Sequence, residues 1–206
     1  PADMTLTAMN AGRLILASKS ASRRAMLDAA GVTYESIPAD IDERAVEAGL
    51  AGAASPEVAE ALAVAKAAAV AEAHPGARVL GSDSLVVCAG RRFDKPRSRE
   101  EAGEHLRFFS GRVMELHSAA ALVKDGGCEW SHASIARLHV RELSDTFIAA
   151  YLDMEWPEIS HTVGAFRIEG PGVQLFEHIE GDQFTVLGMP LLPLLAALRE
   201  EGVLLA

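Results

Sequence analysis

Val79-Leu-Gly-Ser-Asp-Ser-Leu-Val-Val87 decides how this chain is read, because two apolar half-strands meet there at a small polar centre, Gly81-Ser-Asp-Ser84. A short apolar run bounded by turn residues reads as a buried strand. A carboxylate in its middle is costly to bury unless it is hydrogen-bonded, paired with a cation or holding a metal. Asp83 is therefore either part of a functional cleft or a structural turn aspartate, and the rest of the chain must supply its partners.

Upstream, Leu14 to Ala17 reads as a strand, Ser18-Lys-Ser-Ala-Ser-Arg-Arg24 as a loop, and Ala25 to Ala30 as a helix stopped by Gly31. Serine hydroxyls, two guanidinium groups and the unpaired N–H groups of a helix start suit an oligophosphate. They equally suit an ordinary N-cap with solvated arginines. Val32 to Ile37 alternates like a strand, and Pro38 to Glu43 reads as an acidic loop whose Asp40, Asp42 and Glu43 offer oxygen ligands to magnesium, or simply face water. Ser55-Pro-Glu opens an alanine-rich helix to about Ala73, with Lys66 as its only cation. Lys66 either reaches a phosphate or is solvated.

Downstream, Ala89-Gly-Arg-Arg is a tight turn, and the returning segment places Lys95 a hairpin away from Asp83. Ser98 caps a helix to Phe109; Val113 to Val123 and Glu129 to His139 are long strands joined by a glycine turn, which makes the sheet mixed. Ser144 caps a further helix. Val163 to Gly172 is glycine-rich around Glu169, which suits either a ligand approach or plain turns; strands are expected at Val173 to Ile179 and from Thr185, before a terminal helix Leu191 to Glu200.

With 206 residues and a net charge of -10, the chain is long enough for a substantial core and poorly suited to nucleic-acid polymers or anionic membranes, so any phosphate site must be local. Cys88 and Cys128 stand far apart with no zinc-ligand spacing, and no apolar run is long enough to span a membrane. The expectation is a soluble cytoplasmic protein. The seven histidines are scattered and read one by one as structural. Walker, nucleophile-elbow and dinucleotide signatures are absent.

Taken in order, Leu16 to Arg24, Ile41-Asp-Glu43, Gly81-Ser-Asp-Ser84, Lys95-Pro96, Ser110-Gly-Arg112, Glu169-Gly and Val186-Leu-Gly-Met-Pro190 resemble the Maf family of nucleoside triphosphate pyrophosphatases, from about Arg13 to Gly202. The resemblance implies an α/β protein with an elongated, mixed, twisted sheet flanked by helices, two lobes around a central cleft, and an architecture similar to inosine triphosphate pyrophosphatases. It implies one domain over residues 13–206, behind residues 1–12, whose weak patterning reads as a weakly ordered extension. It also implies a cytoplasmic enzyme, often a homodimer, that uses magnesium or manganese, cleaves between the α and β phosphates of a nucleoside triphosphate, and is linked to septum formation and the removal of non-standard nucleotides.

On that resemblance Asp83, Glu43 and Lys95 are the catalytic set, with Asp83 and Glu43 holding the metal. Ser18, Ser20, Arg23 and Lys66 hold the phosphates, aided by Lys95. The family's commonest loop is Ser-x-Ser-Pro-Arg-Arg; here Ala21 replaces the proline and Ser22 takes the first arginine's position. Members acting on 7-methyl-GTP also carry a non-arginine there and a glutamate in the glycine-rich stretch, so Ser22 and Glu169 point toward a modified purine and away from dTTP and UTP. A carboxylate can accept from the N1–H and N2–H edge of guanine. Ser84 matches neither group and is the third specificity position. The rival reading is a non-catalytic nucleotide-binding regulator of septum formation, which has no need of the water-activating acids.

Overall fold

The computed structural model describes residues 12–206, so the expected N-terminal extension lies, apart from Gly12, outside the described residues. The strands are β1 Leu14–Leu16, β2 Glu35–Ser36, β3 Arg78–Cys88, β4 Arg91–Phe93, β5 Val113–Lys124, β6 Gly127–Val140 and β7 Phe176–Glu180. The helices are α1 Ala21–Ala29, α2 Glu43–Ala48, α3 Ser55–Glu72, α4 Arg99–Phe109, α5 Asp145–Glu155, α6 Gln183–Leu187 and α7 Leu191–Glu200. The sheet is seven-stranded with order β2-β1-β3-β5-β6-β7, and β4 pairs with β3. β1 lies parallel to β2 and β3, whereas β3–β4 and β6–β7 are antiparallel, so the fold is a mixed α/β sheet, as expected. Asp125 and Gly126, both at positive φ, close the two-residue turn between β5 and β6.

The chain divides into two compact units. The first runs to Asp83 and includes Ser118–Ser134 and Leu187–Ala206. One of its clusters packs Ile15, Val79 and Val123 against Ala67, Val70 and Ala71 of α3. Arg78 at the start of β3 pairs with Glu129 on β6 and, at 2.8 Å, with Glu201 just after α7. The second unit, Ser84–His117 with Ile135–Val186, is built around Phe93, Leu106, Phe109, Leu138, Ile148 and Tyr151. No helix among the described residues is long and apolar enough to cross a membrane.

Several local expectations needed correction, three of them for a capping reason. α1 begins at Ala21, four residues earlier than expected, because the Ser20 side chain accepts from the Arg23 backbone N–H and so both arginines are helical. The acidic loop ends in α2, where the Asp42 carboxylate accepts from Ala45 N at 3.1 Å. A strand was expected from Thr185, but Asp182 takes the N–H groups of Phe184 and Thr185 and starts α6. Pro171–Leu175 forms a 3-10 turn, which delays the last strand to Phe176.

His105 and His117 are buried polar residues of the second unit. Burial pushes both imidazoles below their ordinary pKa, against the opposing pull of Glu101 and Glu104 on His105 and of Glu115 on His117. His105 meets Phe93 edge-on, with ring centroids 5.1 Å apart. In the window between the folded and the higher unfolded pKa, the unfolded chain binds protons that the folded rings refuse. Their contribution is therefore full above the unfolded imidazole value and is lost as pH falls through the folded value. The expected outcome is that unfolding free energy declines from about pH 7 to pH 5 and that His105→Phe makes the decline shallower. Urea denaturation at each pH checks this, and an unchanged slope in the variant would remove His105 from the account.

Candidate functional site

Gly81 fixes where the site forms. A β-carbon built on it would lie 1.9 Å from the Ala63 carbonyl oxygen and 2.8 Å from the Ala67 amide nitrogen, so the α3 backbone packs directly on β3 at that residue. Ala59, Ala63 and Ala67, all fully buried, form the small-residue face that permits this approach. Lys66 stands between the last two of these and is carried to the strand with them.

The Lys66 ammonium consequently reaches Asp83 Oδ1 at 2.5 Å and Glu43 Oε1 at 2.9 Å. Asp83 is only 7% exposed, so its partner is the cation that the sequence required. The Glu43 side chain is about half exposed, at 49%, and sits in the first turn of α2, directly after the Asp42 cap. Two carboxylates from sequence positions 40 residues apart thus converge on one ammonium.

Arg23 supplies the second cation. Its Nε donates to the Gly188 carbonyl at 3.0 Å, and Nη1 lies 3.4 Å from Ser18 Oγ. Desolvation lowers its pKa from the usual guanidinium value, opposed by the charges of Asp83 and Glu43, which puts both acids within its electrostatic reach. Ser18 is buried at the end of the β1 loop, and its hydroxyl also accepts from Ser20 N at 3.2 Å. Ser20 caps α1, and its hydroxyl lies 3.1 Å from that of Ser22. Fully buried Ser82 donates to Ala119 O at 2.8 Å and lies 3.2 Å from Gly188 O, so it faces the core side of the strand.

Ser18, Ser20, Arg23, Glu43, Lys66 and Asp83 all belong to the first compact unit. Lys95, Ser84 and Glu169 belong to the second. Lys95 is exposed after β4, Ser84 is partly buried on β3, and Glu169 is exposed in the glycine-rich stretch. The glycines there have packing causes of their own: a β-carbon on Gly172 would lie 2.5 Å from Arg167 O, and Gly164 has φ of 82°. A hollow of about 560 Å³ lined by Arg24, Asp28, Thr33 and Tyr34 contains none of the charged residues above, and Arg24 faces it.

Gly81 and Gly188 are contributors that motif reading quoted without a role. The signal for Gly81 is a glycine in an otherwise well-packed strand, which marks close backbone approach. Gly188 acts through its carbonyl, which no side-chain pattern announces.

Two carboxylates with two cations at a serine-capped helix start can hold a polyanion, hold a divalent cation and move a proton. Gly81→Ala is expected to cost about 3 kcal/mol of stability, at the top of the overpacking range, because a backbone must move and cannot rotate away. Urea unfolding checks this; a loss below about 0.5 kcal/mol would show that α3 does not depend on the approach.

Residues 13–201 match the family model described as Maf-like protein. A protein of Nitrobacter hamburgensis named nucleoside triphosphate pyrophosphatase is 48% identical over 191 residues, which is 93% of this chain and 95% of that one. A 7-methyl-GTP pyrophosphatase of Brucella suis biovar 1 is 48% identical over 191 residues, 92% of this chain and 96% of that one. A solved structure of a HAM1 protein from Coxiella burnetii is 19% identical with a TM-score of 0.43, covering 62% of this chain and 72% of that one. With a family model that matches nearly the whole chain, and relatives near half identity along most of their own length, the chain belongs to the Maf-like protein family.

Proposed function

We propose that this protein is a nucleoside triphosphate pyrophosphatase that adds water across the α–β phosphoanhydride, giving the nucleoside monophosphate and pyrophosphate. The observation that carries the reading is the convergence of Asp83 and Glu43 on Lys66 beside Arg23. The names of the relatives support the reaction class. A binding module needs the cations and the serines; it has no use for a buried aspartate beside a second acid.

In the proposed mechanism Arg23 and Lys66 hold phosphate oxygens. A guanidinium fork matches phosphate geometry, and Arg23 is oriented for this by Gly188 O and Ser18 Oγ. Ser18 and Ser20 assist from the loop before α1, and Lys95 is assigned to the phosphates on the family resemblance alone. Lys66 neutralises Asp83 in the resting protein; as an ammonium carries three donors, it can turn toward an arriving phosphate while keeping a carboxylate contact. Asp83 then accepts the proton of the attacking water while the bond to the leaving pyrophosphate breaks.

A divalent cation fits the residues present. Asp83 and Glu43 bring hard oxygen donors to one place, the ligand type that magnesium and manganese take in small number alongside phosphates and waters. When bound, the ion supplies charge neutralisation at the phosphates and a more acidic water.

Base choice is assigned to Ser22, Ser84 and Glu169, with a modified purine such as 7-methyl-GTP preferred over dTTP and UTP. One relative carries that substrate in its name, and the glutamate at 169 offers the acceptor that a guanine edge needs.

The test is a panel of nucleoside triphosphates, 7-methyl-GTP, dTTP and UTP included, assayed for pyrophosphate with magnesium, with manganese and with EDTA. Cation-dependent pyrophosphate release, fastest on a modified purine, is expected. Asp83→Asn is expected to lower turnover by at least about 100-fold, the scale of a lost general base, while nucleotide binding stays measurable. Wild-type-like turnover in that variant would take Asp83 out of the mechanism, and nucleotide binding without cleavage by the wild type would favour the regulator.

A further inference from the structure

The histidines that look scattered along the chain are not all apart in the fold. His139 on β6 stands directly opposite His178 on β7, and Arg137 stands opposite Glu180. Directly opposed residues share a face of the sheet, as do residues two apart on one strand, so His139, His178 and Glu180 point the same way. The register shifts beyond His139, where Val140 pairs with Phe176, and such an irregularity re-aims the side chains beside it. Arg137 is drawn off toward Glu115, with Nε 3.2 Å from Oε1, which leaves Glu180 turned to the imidazoles.

The three donors are close enough to share one ion. His139 Nε2 lies 2.8 Å and His178 Nε2 4.0 Å from Glu180 Oε1, and one ligand atom from each residue falls within 4.8 Å of the others. Bonds of about 2.0–2.2 Å in a tetrahedral site put ligand atoms roughly 3.4 Å apart, a spacing that the two distances bracket, so small side-chain rotations complete it. Two imidazole nitrogens and one carboxylate suit zinc and its transition-metal neighbours; magnesium prefers all-oxygen shells. All three side chains are accessible, at 30%, 62% and 49% exposure, so an ion can enter and water can take the remaining position.

We propose that His139, His178 and Glu180 form a transition-metal site, best suited to Zn2+, that clips edge strand β7 to β6. It uses none of the residues assigned to nucleotide cleavage and stands or falls separately from that reading. The ordinary alternative is a cross-strand histidine–glutamate pair, which holds the strands together without an ion.

The test titrates the metal-free full chain with Zn2+ by calorimetry and with Co2+ by visible absorption. One ion is expected to bind with micromolar affinity, with the intense d–d bands of four-coordinate Co2+. His178→Ala, at an exposed position where the fold should tolerate it, is expected to weaken binding at least about tenfold, as is His139→Gln. Glu43→Gln is expected to keep the Zn2+ site, which separates it from any ion held at the phosphate centre. Unchanged affinity and stoichiometry in both histidine variants, or no Zn2+ bound by the wild type at submillimolar concentration, would overturn the proposal.

Discussion

Lys66 stands between two carboxylates, and the candidate site depends on that ion triad. Asp83 sits nearly buried in the middle of β3, where an unpaired charge would cost several kcal/mol, and the ammonium 2.5 Å away offsets that penalty. The ammonium is there only because α3 rides on Gly81, and α3 rides there only because its facing residues are alanines. Sequence, packing and charge are thereby coupled: one missing side chain on the strand and a row of minimal side chains on the helix set the position of one cation.

The same arrangement bears on how the proposed phosphate site could work in an acidic protein. The net charge of -10 offers no long-range attraction to phosphate, so recognition has to be local. Arg23, tied to Gly188 and Ser18 and within reach of both acids, brings a second cation beside Lys66. Oxygen and nitrogen donors also gather on different residues. Carboxylate oxygens meet at Lys66, while imidazole nitrogens meet on β6 and β7.

Much of this was legible in the sequence, and the remainder was hidden for definable reasons. The interrupted apolar run at Val79 to Val87 announced both the strand and the need for a partner to Asp83, and Ser98 and Ser144 marked their helices as capping residues do. Asp182 and Asp42 cap short helices too, but they lie in stretches whose β-branched or acidic composition suggested strand and loop. Lys66 read either as a phosphate ligand or as a solvated cation, and its contact with Asp83 stayed hidden because helical periodicity cannot report a glycine on a distant strand. His139 and His178 looked unrelated because only the β6–β7 register brings them together. Local propensity was visible; contacts set by long-range packing were not.

The central claim is that Lys66 and Asp83 act as one unit, and a double-mutant cycle tests it most directly. Urea unfolding of the wild type, Lys66→Met, Asp83→Asn and the double variant gives the coupling free energy. Lys66→Met is expected to cost about 3 kcal/mol, because it strands a buried carboxylate. The double variant should be more stable than the sum of the single losses predicts, by roughly 1–3 kcal/mol. Losses that add to within about 0.5 kcal/mol would show that the two residues do not depend on each other, and would contradict the account.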